Sequence, residues 1–270
     1  MGLSVQTNVG AMVALQQLNI TNRKLEQTQL HITTGFRING PKDDASTFAI
    51  AQNMRGDIAG LGAVKTALAN GEATLNVAIE AGKSVSDLLI EMKSKVVQAN
   101  QAGLDSSSRS ALHNDFNELR TQIEEIVKTA EFNGTNLVKA SASNSSVLST
   151  IDGSTITVSA QSMDQSTLSI AALTLTTSVG AASALTVIDS AITSVSNKLA
   201  TLGSVGKRIE IQSEFTTKLT DILKAGVGNL VDADLAEESA RLQALQIQQQ
   251  LGVQALGIAN SGPQAILGLF

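Results

Sequence analysis

Histidine is the side chain best suited to metal binding and to general acid–base work near neutral pH. This chain has two, His31 and His113. Neither lies in His-Glu-x-x-His or any other paired ligand spacing, so the pattern supports no metal centre, and both are expected on solvated helix faces. With no cysteine there is no thiolate ligand, no Cys nucleophile and no disulfide. The adjacent carboxylates Asp43-Asp44 and Glu124-Glu125 would serve hydrolysis only if they converged. Neighbouring helical side chains diverge by about 100°, so capping and solvation are expected instead. No phosphate-loop spacing occurs, and Gly56, Gly60 and Gly62 fall inside a helical pattern. No Ser, His and acid stand in a nucleophile-elbow context. The chain therefore reads as a non-enzyme without cofactor or metal.

Composition narrows the class of partner. Aromatic residues are 2% of the chain, with six Phe and no Trp or Tyr, so the core must be built from Ala, Val, Leu and Ile at regular spacing, which suits helices side by side. A formal charge of −5 without a cluster of Lys and Arg argues against a nucleic-acid partner. Residues Met1 to Ile20 carry no basic side chain and are interrupted by Gln6, Asn8, Gln16, Gln17 and Asn19, so they are not expected to be a secretory signal, and any export would be without a cleaved leader. No apolar stretch is expected to reach the roughly 20 residues that span a bilayer, and no membrane insertion is expected.

The elements follow from the apolar spacing. Ala11, Leu15, Leu18, Asn22, Leu25, Gln29 and Ile32 alternate by 4 and 3, which predicts a coiled-coil seam with polar interruptions. Val9, Val13, Gln16 and Ile20 make a second stripe, so this helix is built to touch partners on two sides. Gly35, Arg37, Asn39, Gly40 and Pro41 then predict a turn between domains, with Asp43 and Asp44 capping the next helix.

That helix holds 3-4 spacing through Leu61, Val64, Leu68, Gly71, Leu75, Ala78, Gly82, Val85, Leu89, Met92, Val96 and Ala99. Running from about Asp44 to Asn100, it would be about 85 Å long, with Gly71 and Gly82 admitting a neighbouring helix closely. Leu112, Phe116, Leu119, Ile123, Ile126 and Ala130 predict a helix folding back, ended by Asn133-Gly134.

From Ala140 to Ser178 close to half the residues are Ser or Thr. Ile156, Val158 and Ala160 alternate with polar residues, as do Leu168 and Ile170, and Asp152-Gly153 is a two-residue hairpin signal, so a small β-hairpin region is expected. Helical spacing resumes at Leu185, Ile188, Ile192, Val195, Leu199, Leu202 and Ile209 and continues through Phe215, Leu219 and Ile222 until Gly226 and Gly228 interrupt it. Asp232 and Asp234 start a last helix with two stripes: Leu235, Leu242, Leu245, Leu256 and Ala240, Ala244, Ile247, Leu251, Ile258. Its Gln-rich polar face suits helix partners better than lipid. The stripe residues Leu15, Leu18, Leu25, Ile32, Leu242, Leu245, Leu251 and Leu256 are the candidate self-assembly contacts.

At three places the sequence resembles bacterial flagellin: Thr33 to Ala45, Glu131-Phe132-Asn133-Gly134, and Asp232-Ala233-Asp234 through Gln248-Gln249 to Ala259-Asn260 and Pro263-Gln264. The likeness covers roughly 1–138 and 185–270, and only about fifty residues separate the two ends, as in a minimal member lacking large outer domains. The turn Gly40-Pro41 and the ending Gly268-Leu269-Phe270 depart from the commonest forms.

The resemblance implies a mainly α fold, a long antiparallel helical rod or coiled-coil bundle with a small β-hairpin region. Residues 1–34 and 233–270 would pair as an inner filament-core coiled coil in the polymer; because their two-striped faces need neighbours and their Gln-rich seams are weak alone, they are expected to be disordered in the monomer. Residues 43–232 would form the rod, with 138–184 at the outer surface. It implies a secreted homopolymer forming the extracellular filament used for swimming. Its partners would be the flagellar export apparatus and the filament cap and junction proteins. The hook–filament junction protein is the related alternative, and an exported helical effector the alternative outside the flagellum. Family members detected by an innate immune receptor of animal hosts carry an Arg and a Leu that align with Glu91 and Lys95, and a Glu retained as Glu118. The two altered positions imply escape from that receptor.

Overall fold

The computed structural model describes residues 7–267. In chain order it holds α1 (Val9–Thr34), α2 (Ala45–Ala99), α3 (Ser106–Thr129), β1 (Ser145–Leu148), β2 (Thr155–Val158), α4 (Ser178–Val231) and α5 (Leu235–Leu267). The outermost residues of the expected inner segments, including Gly268-Leu269-Phe270, lie outside the described residues. The chain divides into two compact units: the described residues up to Gly56 with those from Ile222 on, and Asp57 to Asp221.

The first unit is built around α1 and α5. Asn8 caps α1 by accepting from the Ala11 N–H at 3.0 Å, and Gly35 ends the helix with φ 74°, a conformation that suits glycine, its N–H bonding His31 O at 2.9 Å. Phe36 then forms an antiparallel bridge with Asp232. The Arg37 and Ile38 N–H groups both donate to Val231 O, and the Ala233 N–H donates to Gly35 O. This short ladder ties the end of α1 to the junction of α4 and α5. The Arg37 guanidinium donates to Leu230 O at 2.9 Å, and Arg55 sits 5.7 Å from the centroid of the Phe36 ring.

The two aspartates after Pro41 do different work. Asp44 alone caps α2, accepting from the Ser46 and Thr47 N–H groups and the Thr47 hydroxyl. Asp43 reaches back to the Asn39 and Gly40 N–H groups and closes the turn. Only the residue next to the first helical turn can meet its free N–H groups, which corrects the expectation that both cap the helix.

In the second unit every one of the α2 seam positions from Leu61 to Ala99 is buried, as the spacing requires. Phe116, Ile123 and Val127 of α3 and Ala181, Ala184, Ile188, Ala191, Val195, Leu202 and Ile209 of α4 share that core. α2 and α4 run antiparallel, with Lys93 meeting Asp189 at 2.7 Å on the exposed side and Leu199 approaching Gly82 in the seam. Gly71 admits a strand in place of the expected helix: the atoms nearest to a Cβ there all belong to Val147 of β1.

β1 and β2 pair antiparallel in the register Val147↔Ile156. The expected two-residue turn is a longer loop, closed by Ser149 N–H to Ser154 O at 2.8 Å and Gly153 N–H to Thr150 O, with Gly153 at φ 88°. Leu168 and Ile170 are buried in consecutive turns, not in a strand; the Asp164 carboxylate caps these turns through Ser166 and Thr167.

α4 also departs from expectation. It begins at Ser178 and runs unbroken through Gly226 and Gly228 to Val231. Gly226 lies against Met54: a Cβ there would stand 2.9 Å from Met54 Cε, the end of a flexible side chain. Phe215 and Ile222 point outward, 56% and 67% exposed, while Thr216 is buried and bonds Gln212 O on its own helix. By length and composition alone α4 is apolar enough to cross a membrane, contrary to the reading that no stretch is. Its Ala, Val and Ile raise hydropathy without charge, and one face of the helix packs into the helical core.

Candidate functional site

The α1–α5 pair carries the candidate contacts. Its seam is formed on α1 by Leu18, Thr21, Leu25, Thr28, His31 and Ile32 and on α5 by Glu238, Leu242, Leu245, Gln249, Gly252 and Leu256, all buried or half-buried. The expected positions Leu18, Leu25 and Ile32 are in place. The alternating positions lie one residue earlier than read, at Thr21 and Thr28 instead of Asn22 and Gln29, and Leu15 leaves the seam, 48% exposed. Threonine tolerates the seam because its hydroxyl bonds its own helix, as Thr21 Oγ1 does to Gln17 O at 3.0 Å. Asn22 lies beside the seam and accepts from the Gln249 carboxamide at 2.8 Å, and the Asn8 carboxamide donates to Ala259 O at 2.7 Å.

His31 is not solvated. It is 6% exposed, and its Nδ1 lies 3.1 Å from Oε1 of Glu238, itself 5% exposed. Arg241 bridges Glu238 at 3.4 Å and Glu237 at 3.0 Å. His31 Nε2 and Glu238 Oε2 are buried without partners. Sequence reading missed this pair, since a lone His and a helix-start Glu each have an ordinary local role. His113 is half-buried instead of solvated, with Nε2 3.2 Å from Asn117 and Nδ1 accepting from the Leu175 N–H.

The opposite faces of the pair are uncovered within the chain. Ile247, Leu251 and Ile258 on α5 are 56–74% exposed, and Val9, Met12, Val13 and Leu15 on α1 are 48–63% exposed. The eight candidate contacts thus divide: Leu18, Leu25, Ile32, Leu242, Leu245 and Leu256 serve the pair itself, and Leu15 and Leu251 face outward. In the second unit Glu91 and Glu118 are exposed. Lys95 reaches α3 at Asp115, 2.8 Å away, a bond that holds its ammonium pKa above the ordinary lysine value. Among the described residues no cluster of His, Cys, Asp and Glu could hold a metal ion.

Two conserved-region profiles match the chain in order: the bacterial flagellin N-terminal helical region over residues 5–143 and the bacterial flagellin C-terminal helical region over 185–270. Flagellin FljN of Caulobacter vibrioides is 47% identical across 99% of this chain and 98% of its own length. The chain belongs to the bacterial flagellin family. Flagellin of Brucella melitensis is 36% identical and Flagellin C of Rhizobium meliloti 34%, each across 99% of both chains. The compact length is shared with the Caulobacter and Brucella relatives, and as a flagellin the chain is a structural subunit of the bacterial flagellar filament.

Solved structures agree on the fold. A Bacillus cereus flagellin superposes with a TM-score of 0.51 at 22% identity, over 54% of this chain and 86% of that one. A putative flagellar hook-associated protein from Vibrio parahaemolyticus gives 0.58 at 16% identity, over 70% and 100%. At such identities the likeness concerns fold alone, and it does not favour the junction protein over the filament subunit.

Proposed function

We propose that this flagellin polymerises through the outward faces of its terminal helix pair and plays a structural, non-enzymatic part in an extracellular filament. The observation that carries the reading is that α1 and α5 use one face on each other and leave the Leu251 and Leu15 stripes open to water. Contiguous apolar surface of this kind marks an interaction site, and burying each half-exposed Leu or Ile contributes about 1 kcal/mol. Identical chains meeting through unlike faces form open helical polymers when the rotation does not close.

In this reading residues 1–34 and 233–270 line the filament interior, 43–232 form the next shell, and the hydroxyl-rich 138–184 region lies outermost. Export through the flagellar channel in an unfolded state, and contact with cap and junction proteins, accompany it. The lack of cysteine suits such threading. Glu91 and Lys95 in place of Arg and Leu would let the filament subunit escape the innate receptor.

Seeded polymerisation of the full chain, followed by sedimentation and negative-stain microscopy, tests the assembly. Long tubes are expected. A chain lacking 233–270 should keep the cooperative unfolding of the second unit and form none, and Leu251→Asp should pellet far less than wild type. Tubes from the truncated chain would overturn the reading.

A further inference from the structure

Charge is scarce on the terminal helices and unevenly satisfied. On α5 the charged residues Glu237, Glu238 and Arg241 are all joined in ion pairs, with His31 completing the set. On α1 the remaining charges are Arg23, Lys24 and Glu26. All three are exposed, and none has an ion partner or side-chain hydrogen bond among the described residues. Lys24 and Glu26 stand about 200° apart around the helix, so they cannot satisfy one another.

The two residues line different hollows. Lys24, with Gln27, His31, Arg241 and Gln248, surrounds a cavity of about 460 Å3 at the α1–α5 seam, and the Nε2 of the buried His31 is unpartnered. The Arg241 guanidinium is already held by Glu237 and Glu238, which leaves the Lys24 ammonium and the Gln27 and Gln248 carboxamide N–H groups on the wall as donors for a carboxylate. Glu26 lines a separate groove of α1 with Arg23, Met12 and Leu15. Its carboxylate stands beside the outward apolar side chains that assembly would cover.

We propose that Glu26 of one copy enters the Lys24 cavity of the next, forming an ion pair between subunits that aligns the terminal helices during polymerisation. The inference rests on the assembly reading above and names its polar contact. A second copy is the occupant because the chain itself supplies both halves, an unpaired acid on one face of α1 and an unpaired base on another. Arg23 lines the same groove but makes no ion pair with Glu26, so covering the Met12 and Leu15 face desolvates a carboxylate that opposes association unless a cation of the neighbouring copy reaches it. The pairing therefore sets register as well as strength, since a shifted copy leaves both charges unmatched.

The test compares full-length wild type, Lys24→Glu, Glu26→Lys and the reciprocal double variant, reading the critical concentration for seeded polymerisation at low and high salt. Both positions are exposed, so circular dichroism of the four monomers should coincide. Each single reversal is expected to raise the critical concentration about tenfold or more, and the double variant to recover most of that loss. Singles that assemble like wild type, or a double variant no better than the worse single, would overturn the pairing. A defect in Lys24→Glu without one in Glu26→Lys would assign the cavity to another acidic group and also overturn it. Wild type that forms no filament would instead sink the assembly reading itself.

Discussion

Replacing Gly71 by alanine sets two energies of opposite sign against each other. Within a helix the change relieves the conformational cost of glycine and stabilises by about 1 kcal/mol. Here the new Cβ would overlap Cγ2 of Val147 and come within 2.7 Å of its Cγ1 and 3.1 Å of its Cβ. Val147 is 5% exposed and opposite Ile156 in the β1–β2 ladder, so it cannot swing into solvent. Overpacking of this kind costs about 1–3 kcal/mol, which leaves Gly71→Ala between neutral and about 2 kcal/mol less stable. Gly62, on the same helix, is exposed and meets nothing within 4 Å, so Gly62→Ala should gain about 1 kcal/mol. The two variants should therefore differ by about 2 kcal/mol, or about 4–8 °C in Tm for a cooperative unit of this size. Calorimetry below the polymerisation concentration measures that gap. If Gly71→Ala melts as high as Gly62→Ala, the close packing of the hairpin on α2 is refuted.

Two further outcomes are expected. The Thr47 hydroxyl bond, followed by the Thr47 N–H bond, holds the Asp44 carboxyl below its ordinary value of 3.8. A depressed folded pKa means that its stabilisation is complete above pH 3.8 and is lost as pH falls through the lower folded value. The difference in urea midpoint between wild type and Asp44→Ala should narrow on acidification below pH 3.8, and a constant difference would contradict the cap's role. In a receptor-reporter assay the monomer should be silent at concentrations where a detected flagellin activates, with Glu91→Arg plus Lys95→Leu raising the response. A reversed and desolvated contact of a few kcal/mol amounts to about 100-fold in affinity, and activation by the unaltered chain would refute the escape.

Much of the fold is legible in the sequence because a long helix repeats its burial requirement every turn. The α2 seam from Leu61 to Ala99 can be read off directly, and so can the turn at Gly35, where positive φ demands glycine. Part of the candidate site is legible for the same reason: the second α5 stripe, Ile247, Leu251 and Ile258, is apolar on a face the pair does not use.

Two of the positions the spacing misplaced share one cause. Thr21 and Thr216 occupy buried positions that an apolar pattern assigns to neighbours, because a hydroxyl bonded to its own helix carbonyl can be buried cheaply. Phe215 and Ile222 then point outward although their type suggests a core.

The sequence by itself determined the helical class, the pairing of the two ends and, through its motifs, the family. Only the tertiary structure decided that His31 meets Glu238, 207 positions away, that Asp43 closes a turn while Asp44 caps a helix, and that Gly71 yields to a strand. Periodicity reports which face of an element must leave water. Which side chain waits on the other side depends on how two distant segments are brought into register, and no local pattern carries that.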